Sequence, residues 1–480
     1  MPVYMNRRDI PILEITLSFD SNSSEPLYLQ LYSFFKKEIV EGRLIPETKL
    51  PSKRKLSTHL QISQTTVESA YQQLIAEGYV KSEPRKGLFV TQLEMGFFNE
   101  KERTSPHDKL QKNPIVNPIK VDFGHGNIAR NEFPFPTWRK LTVQSLYEDE
   151  SHLLLSGHRQ GDLPLRVEIA KYLYQSRGVQ CEPDQILIGA GTQYMVTFLT
   201  MLIGRDRVYS MENPGFHRTR EAFKDQGVKL LGIELDQEGI KMEDLVASKA
   251  SVTYVTPSHQ FPMGMVMPIS RRMELLKWAH ETESYIIEDD YDGEFRYTGK
   301  PIPSLQGLDK HGRVIYLGTF SKSLIPSLRI SFMVLPPTLL SRYQDRFSIY
   351  KQTVSRLHQQ TLYLFMKEGH WSRHLQKMRN TYRKKQTVLL ALITERLGEH
   401  VTVIGVDSGL HILLKVHNHM TESELISHAE KMGVRVYPTS VYYDGDPHPN
   451  IPMVLLGYGG VSEREMQTGI HLLQTAWELF

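Results

Sequence analysis

Leu27, Leu31, Phe34, Phe35 and Ile39 recur at helical spacing and predict a first amphipathic helix that ends near Glu41-Gly42-Arg43. In Lys49-Leu50-Pro51-Ser52, Ser52 is a good N-cap, and it opens a short helix with Lys53, Arg54 and Lys55 in its first turns. Gln61-Ile62-Ser63 breaks that helix. Ser63 then caps a third, with Val67, Ala70, Tyr71, Leu74 and Ile75 on its inner face. Beyond Glu77-Gly78, two short β-runs flank the basic turn Pro84-Arg85-Lys86-Gly87. From Leu93 to Lys120 the periodicity stops, and charged, Pro, Asn and Ser residues dominate. This stretch fits a flexible tether, or an extended arm anchored by Phe97-Phe98. From Val121 onward strand-like and helix-like segments alternate, which predicts an α/β domain. The expected organisation is a head over 24–92, a linker over 93–120 and a large domain over 121–480, whose part 334–480 includes a smaller C-terminal subdomain.

Composition narrows this picture. At 480 residues the chain is too long for one ordinary core, and 40% hydrophobic content is that of a soluble globular protein. A formal charge of +3 is nearly neutral for this size, so any basic patch is local. The single cysteine, Cys181, excludes an internal disulfide and suits a reducing, cytoplasmic setting. Acids and prolines stand where a secretory signal would need an apolar run, and no apolar stretch of about 18 residues suggests a membrane span.

Three helices and a two-stranded wing make a winged helix-turn-helix, whose physical logic is DNA binding. A helix start presents free N–H groups to a phosphate at Ser52, and Lys53 and Arg54 add charge there. The third helix puts Gln64, Thr65, Thr66 and Glu68 on its outer face, where side chains can meet base edges. Arg85 and Lys86 at the wing tip can reach a neighbouring groove or backbone. The same periodicity also fits a solvated three-helix bundle.

In the large domain a strand-like run, Val314 to Leu317, opens into Gly318-Thr319-Phe320-Ser321-Lys322-Ser323, with Arg329 seven residues after the lysine. About thirty residues upstream, a second strand ends in Glu288-Asp289-Asp290-Tyr291-Asp292. Together these supply what pyridoxal phosphate (PLP) requires: an amine for its aldehyde, a carboxylate for its ring nitrogen, and hydroxyls with an arginine for its phosphate. Strand alternation puts Asp289 and Tyr291 on one face, which favours Asp289 over Asp290. Ile186-Leu187-Ile188-Gly189-Ala190-Gly191-Thr192-Gln193 is a strand running through a glycine turn into a helix, a phosphate cradle in principle. Met211 to Arg218 is a turn that brings an aromatic and a cation together. Val255 to Gly264 is another polar loop after a strand.

Two resemblances follow from these motifs. Leu50-Pro51-Ser52-x-Arg54-x-Leu56, Ser63-x-Thr65-Thr66-Val67-x-x-Ala70-Tyr71 and Gly87-x-Phe89-Val90 resemble the GntR-type DNA-binding domain, with Gln64 where that family usually has arginine. The later fragments, in their order, resemble a fold-type I aminotransferase, and the two joined resemble the MocR family of regulators, most of all its PdxR branch. The implied fold is a winged helix-turn-helix linked to a PLP-binding, aminotransferase-like α/β domain. The resemblance implies that Thr192, Gln193, Thr319, Ser321 and Arg329 hold the phosphate. By the same resemblance Phe216 stacks on the pyridine ring, Asp289 pairs with its nitrogen, Tyr291 bonds its hydroxyl, and Lys322 forms the internal aldimine. It further implies a head-to-tail homodimer on double-stranded promoter DNA, with RNA polymerase as a further partner.

The chain departs from the family in two places. Aminotransferases clamp the substrate carboxylate with a late arginine, in a setting resembling Leu455-Leu456-Gly457-Tyr458-Gly459-Gly460-Val461; here the matching position is Gly460. A guanidinium binds a carboxylate bidentately and a glycine cannot. The asparagine before the Pro-x-Gly turn is replaced by Phe261. The expectation is a non-enzymatic regulator that senses PLP itself; the resemblance to the PdxR branch implies that it controls vitamin B6 biosynthesis genes, activating without PLP and reversed by it. One alternative senses an amino acid or amine through an external aldimine, with Arg218 or His259 as the clamp for an anion. Another is a working aminotransferase.

Overall fold

The computed structural model describes residues 17, 19–20, 25–93, 119–148, 153–297, 302–347, 349–445 and 452–479. The chain divides into two units, Met1–Ile115 and Val116–Phe480. Most of the expected linker lies outside the described residues, as does the Phe97-Phe98 pair.

The first unit holds α1 (Leu27–Val40), α2 (Lys53–Leu60) and α3 (Gln64–Ala76), then β1 (Val80–Glu83) paired antiparallel with β2 (Gly87–Val90). Its boundaries follow from local chemistry. The Ser52 hydroxyl accepts from the Lys55 N–H and starts α2, Gln61 ends it in the left-handed region at φ 55°, and the Ser63 hydroxyl accepts from the Thr66 N–H at 3.0 Å and starts α3. Leu31, Phe35, Leu56, Val67, Tyr71, Leu74 and Val90 form one core. The Tyr71 hydroxyl donates to the Pro51 carbonyl at 3.0 Å and ties α3 to the turn before α2.

In the second unit the strands are β3 (Val121–Asp122), β4 (Ile186–Gly189), β5 (Val208–Asn213), β6 (Lys229–Asp236), β7 (Gly239–Ile240), β8 (Val252–Val255), β9 (Tyr285–Asp290), β10 (Val314–Thr319), β11 (Ser331–Val334), β12 (Val401–Ile404), β13 (His411–Val416), β14 (Val434–Arg435), β15 (Tyr437–Pro438) and β16 (Met453–Gly457). Eight make one sheet in the order β4-β11-β10-β9-β8-β5-β6-β7. The run β10-β9-β8-β5-β6 is parallel, and β11 and β7 enter antiparallel. The central strands β8 and β9 are buried at every residue; Tyr285-Ile286-Ile287 and most of β8 are apolar, whereas the acidic end of β9, Glu288-Asp289-Asp290, is buried with polar partners.

A four-stranded sheet, β12-β13-β16-β15, forms the C-terminal layer. It packs on the helices Glu422–Lys431 and Glu463–Ala476 and on the long helix His370–Arg396. This layer is discontinuous in sequence: β3 pairs parallel with β14, and Phe123 sits in the same core as Ile412, Leu456 and Trp477. Within 334–480, Leu339, Tyr343, Leu362 and Phe365 pack instead with the large sheet. Among the described residues, no helix is long and apolar enough to cross a membrane.

Candidate functional site

The carboxyl ends of β4, β5, β8, β9 and β10 open on one cavity of about 240 Å³, where α/β sheets commonly bind ligands. Thr192, Gln193, Phe216, Arg218, Asp289, Tyr291, Thr319, Ser321, Lys322 and Arg329 all line it. All nine side chains expected at a cofactor are thus brought together from four strand ends, with Arg218 beside them.

Lys322 stands in the loop after β10. Its amine donates to the carbonyl of His125, and burial, followed by the Arg218 charge, outweighs the favourable Asp292 carboxylate, so the amine is lowered to about 8. Such an amine is in part uncharged near neutral pH, the form that attacks an aldehyde. His125 also lines the cavity, and burial together with the nearby Lys322 charge lowers its imidazole to about 3.

Asp289 and Asp290 end β9 and point to opposite faces. The buried Asp290 carboxylate accepts from Arg177 Nε at 2.6 Å and from the Tyr316 hydroxyl at 2.6 Å. Asp289 accepts from the Tyr254 hydroxyl with one oxygen, and its other oxygen, Oδ1, is buried without a partner among the described residues. Burial pushes this carboxyl up to about 7. A bare carboxylate oxygen in a cavity wall is a poor resting state, and a protonated ring nitrogen would satisfy it.

Phe216 stacks on Phe261, with ring centroids 4.0 Å apart and planes 4° apart, and meets Tyr291 edge-on at 4.9 Å. Phe261, standing where asparagine is usual, thus backs the expected stacking residue.

The third wall is the turn at Gly191, where α4 (Thr192–Ile203) begins. Gly191 has φ 97°, which favours glycine, and a Cβ there would lie 2.1 Å from Arg329 Nη2, so the guanidinium can lie over this turn only while the position carries no side chain. Arg329 Nη2 donates to the Ala190 carbonyl at 3.2 Å. Thr319 and Ser321 share a hydrogen bond of 3.0 Å on the same side. A helix start, two hydroxyls and an exposed guanidinium form a cradle for a dianion. The orphaned Asp289 oxygen and the cradle at Gly191 both fit PLP.

Two expectations are corrected. Gly460 is not at the cavity: it is exposed, and a Cβ there would meet Asn127 Cβ at 2.5 Å. The β16 residue that faces the aromatic cluster is Leu455, packed with Phe261, Tyr291, Leu413 and Tyr442, while Lys385 Nζ donates to the Gly459 carbonyl at 2.8 Å. Sequence spacing missed this because only the strand register shows which side chain points inward. His259 is no anion clamp either, because it is buried behind the cavity wall against Asp292. Arg218 is exposed on the cavity rim at the start of α5 (His217–Asp225) and has no ion-pair partner among the described residues.

In the first unit, Ser52, Lys53, Arg54, Gln64 and Thr65 are exposed around the starts of α2 and α3, and Thr66 is half-buried. Lys53 pairs with Glu68 across the two helices. Arg85, at φ 63°, and Lys86 sit at the wing turn, where Lys86 pairs with Glu83 at 3.3 Å.

The bacterial regulatory proteins, gntR family, match residues 27–90, and aminotransferase class I and II matches residues 118–446. The HTH-type transcriptional regulator YdeL of Bacillus subtilis is 47% identical over 97% of this chain and 100% of its own length. The probable rhizopine catabolism regulatory protein MocR of Rhizobium meliloti is 33% identical over 96% of each chain. This chain belongs to the GntR/MocR family of transcriptional regulators.

A GntR/MocR assignment accounts for both units, with a DNA-binding head and an aminotransferase-like α/β domain. The HTH-type pyridoxine biosynthesis transcriptional regulator PdxR of Corynebacterium glutamicum is a more distant relative, 26% identical over 94% of this chain and 96% of its own. Among solved structures, the Pyrococcus horikoshii kynurenine aminotransferase covers 78% of this GntR/MocR chain and 96% of its own, with TM-score 0.66 and 24% identity. The Thermus thermophilus α-aminoadipate aminotransferase LysN, complexed with N-(5'-phosphopyridoxyl)-L-leucine, gives TM-score 0.66 at 23% identity over 78% of this chain and 96% of its own. At these identities the likeness carries the fold alone.

Proposed function

We propose that this regulator binds PLP at Lys322 and that PLP is its effector, with vitamin B6 biosynthesis genes as the target. In this reading the PLP-free protein activates transcription with RNA polymerase as a homodimer on promoter DNA in the cytoplasm, PLP reverses the effect, and no physiological turnover occurs. PLP supplies an aldehyde that an amine can capture reversibly. The chain's own residues do the rest. Lys322 provides a partly deprotonated amine, Asp289 a carboxylate for the ring nitrogen, Tyr291 a hydroxyl for the ring oxygen, and Phe216 a ring face. Thr192, Gln193, Thr319, Ser321 and Arg329 grip the phosphate.

The observation that carries the reading is the contrast between two walls. The cofactor-facing wall is complete down to an unpartnered Asp289 oxygen, whereas the β16 wall presents Leu455 against Phe261 and Tyr442, with no arginine. A sensor needs only different affinities for its ligand in two conformations.

Arg218 favours a second reading, an effector that is a carboxylate-bearing amine. It lines the cavity, is exposed, and lacks an ion-pair partner among the described residues. One experiment separates the two: titrate the full chain with PLP, then with candidate amines, following visible absorbance and promoter footprint together. A footprint that changes with PLP alone supports the first reading. A footprint that changes only when an amine is added, and no longer does so in Arg218→Ala, supports the second. A footprint indifferent to both sinks the sensor proposal.

A further inference from the structure

Behind the cavity wall lies a buried group that the proposed cofactor contacts do not use. His259 and Asp292 are each 2% exposed, and Tyr291 is 7% exposed. His259 Nδ1 lies 3.0 Å from each Asp292 carboxylate oxygen and 2.8 Å from the Tyr291 hydroxyl oxygen. Its other ring nitrogen, Nε2, is buried without a partner among the described residues.

The chemistry of this arrangement fixes the protons. An ionised carboxylate can only accept, so the nitrogen facing it carries the hydrogen. Nε2 is then a bare lone pair, which suits its lack of any acceptor among the described residues. The Nδ1 hydrogen is shared between Asp292 and the Tyr291 oxygen. The tyrosine proton therefore cannot point at the imidazole. It has to turn the other way, and the other way is the cavity, which Tyr291 lines beside Asp289 and Lys322.

We propose that His259 and Asp292 are a positioning pair that holds Tyr291 as a hydrogen-bond donor into the cavity, aimed at a phenolate-type ring oxygen. The claim rests on the PLP reading for the identity of that oxygen, but the orientation of Tyr291 does not. Burial, then the nearby Asp292, Asp289 and Glu212 carboxylates, raise the Tyr291 hydroxyl well above its usual range, so it keeps the proton it is to donate. The groups facing His259 are Asp292, Tyr291 and His411, whose ring is 5.1 Å away and whose Nε2 lies 3.0 Å from the Pro262 carbonyl. Gly409 closes the other side: a Cβ there would come within 2.0 Å of His259 Cε1 and 2.8 Å of an Asp292 oxygen.

Two measurements test the pair. The first uses the full chain labelled with ¹⁵N-histidine, without added PLP, with the His259 signals assigned by their loss in His259→Asn. The expected tautomer carries hydrogen on Nδ1; hydrogen on Nε2 overturns the proposal. The second follows the visible absorbance of PLP-loaded protein against pH. A donor to the ring oxygen favours its ionised form, so losing the donor moves the midpoint up, by about one pH unit for one buried hydrogen bond. His259→Leu and Tyr291→Phe should each shift it upward, and the double variant no further than either alone. His259→Asn, whose amide N–H can stand in for Nδ1, should restore part of the shift. A wild-type midpoint in His259→Leu, or shifts that add in the double variant, overturns the proposal. Should no variant and no wild-type protein take up PLP, the proposed function falls, and the tautomer still decides the pair.

Discussion

Arg329 Nη2 lies so near Gly191 that a single added methyl would stand 2.1 Å from it. The cradle for a phosphate is therefore built on a missing side chain as much as on those present. Gly191→Ala should push the guanidinium away and strain a backbone held at φ 97°. Losing one charge-assisted contact predicts about ten- to a hundredfold weaker PLP binding, with binding of unphosphorylated pyridoxal little changed. Equilibrium titration by absorbance for both ligands checks it; equal losses for both would show that the turn does not read phosphate.

Asp289 predicts a pH dependence of stability in the PLP-free protein. Its folded value, about 7, is above the 3.8 of the free side chain. The folded state therefore holds a proton that the unfolded state has released between these values. This contribution is fully present below about 4 and is lost as pH rises to about 7. Asp289→Asn removes that dependence. Relative to wild type, the variant should gain roughly 1–3 kcal/mol on going from pH 4 to pH 8, read from denaturant melts at each pH. A difference that stays constant across the range refutes the buried acid. PLP affinity should fall in the same variant.

Lys322 predicts the rate of capture. With the amine at about 8, the observed rate of PLP attachment should rise through neutral pH and level off above about 9. Borohydride reduction at timed intervals, followed by peptide mapping, measures it. Label on another lysine, or a rate still climbing at pH 10, would show that Lys322 is not the depressed amine. Lys322→Ala should bind PLP without covalent attachment and should lose the promoter response.

In the head, Arg54→Ala should weaken DNA binding across sequences and lower the slope of log affinity against log salt by about one. Lys53→Ala should cost more than its own contact, because it leaves the Glu68 carboxylate unpaired on the face expected to meet DNA. Salt titrations of the two variants on the same duplex decide both. An unchanged slope in Arg54→Ala would place that side chain off the phosphates.

Most of the head was legible because local signals fix it, although Ile75, expected on the inner face of α3, is exposed. Ser52 and Ser63 cap where expected, and the wing turns at Arg85 and Lys86. In the large domain, strand alternation taken with the role that the resemblance implies for Tyr291 chose Asp289 over Asp290, and the two do part to opposite sides. What the sequence could not carry was pairing at a distance. Gly460 looked like the clamp position only because the strand's inward face was unknown; β13 and β15 in register with β16 turn Leu455 inward instead. His259, read as a clamp for an anion, gave no sign of Asp292, 33 residues on, as its partner. The insertion of Val121 and Phe123 into the C-terminal layer was equally invisible, since short strands without alternation have no period to detect.

The amine of Lys322 rests on the backbone oxygen of His125, 197 residues earlier in the chain. Four residues before that oxygen, Val121 is already stitched to the C-terminal layer, and Gly457 N–H donates to the Phe123 carbonyl at 2.7 Å. When the amine engages an aldehyde it must release that oxygen. In the PLP reading, occupancy would then be felt at β3, the earliest described strand of this domain, with no need for a signal to cross the whole fold.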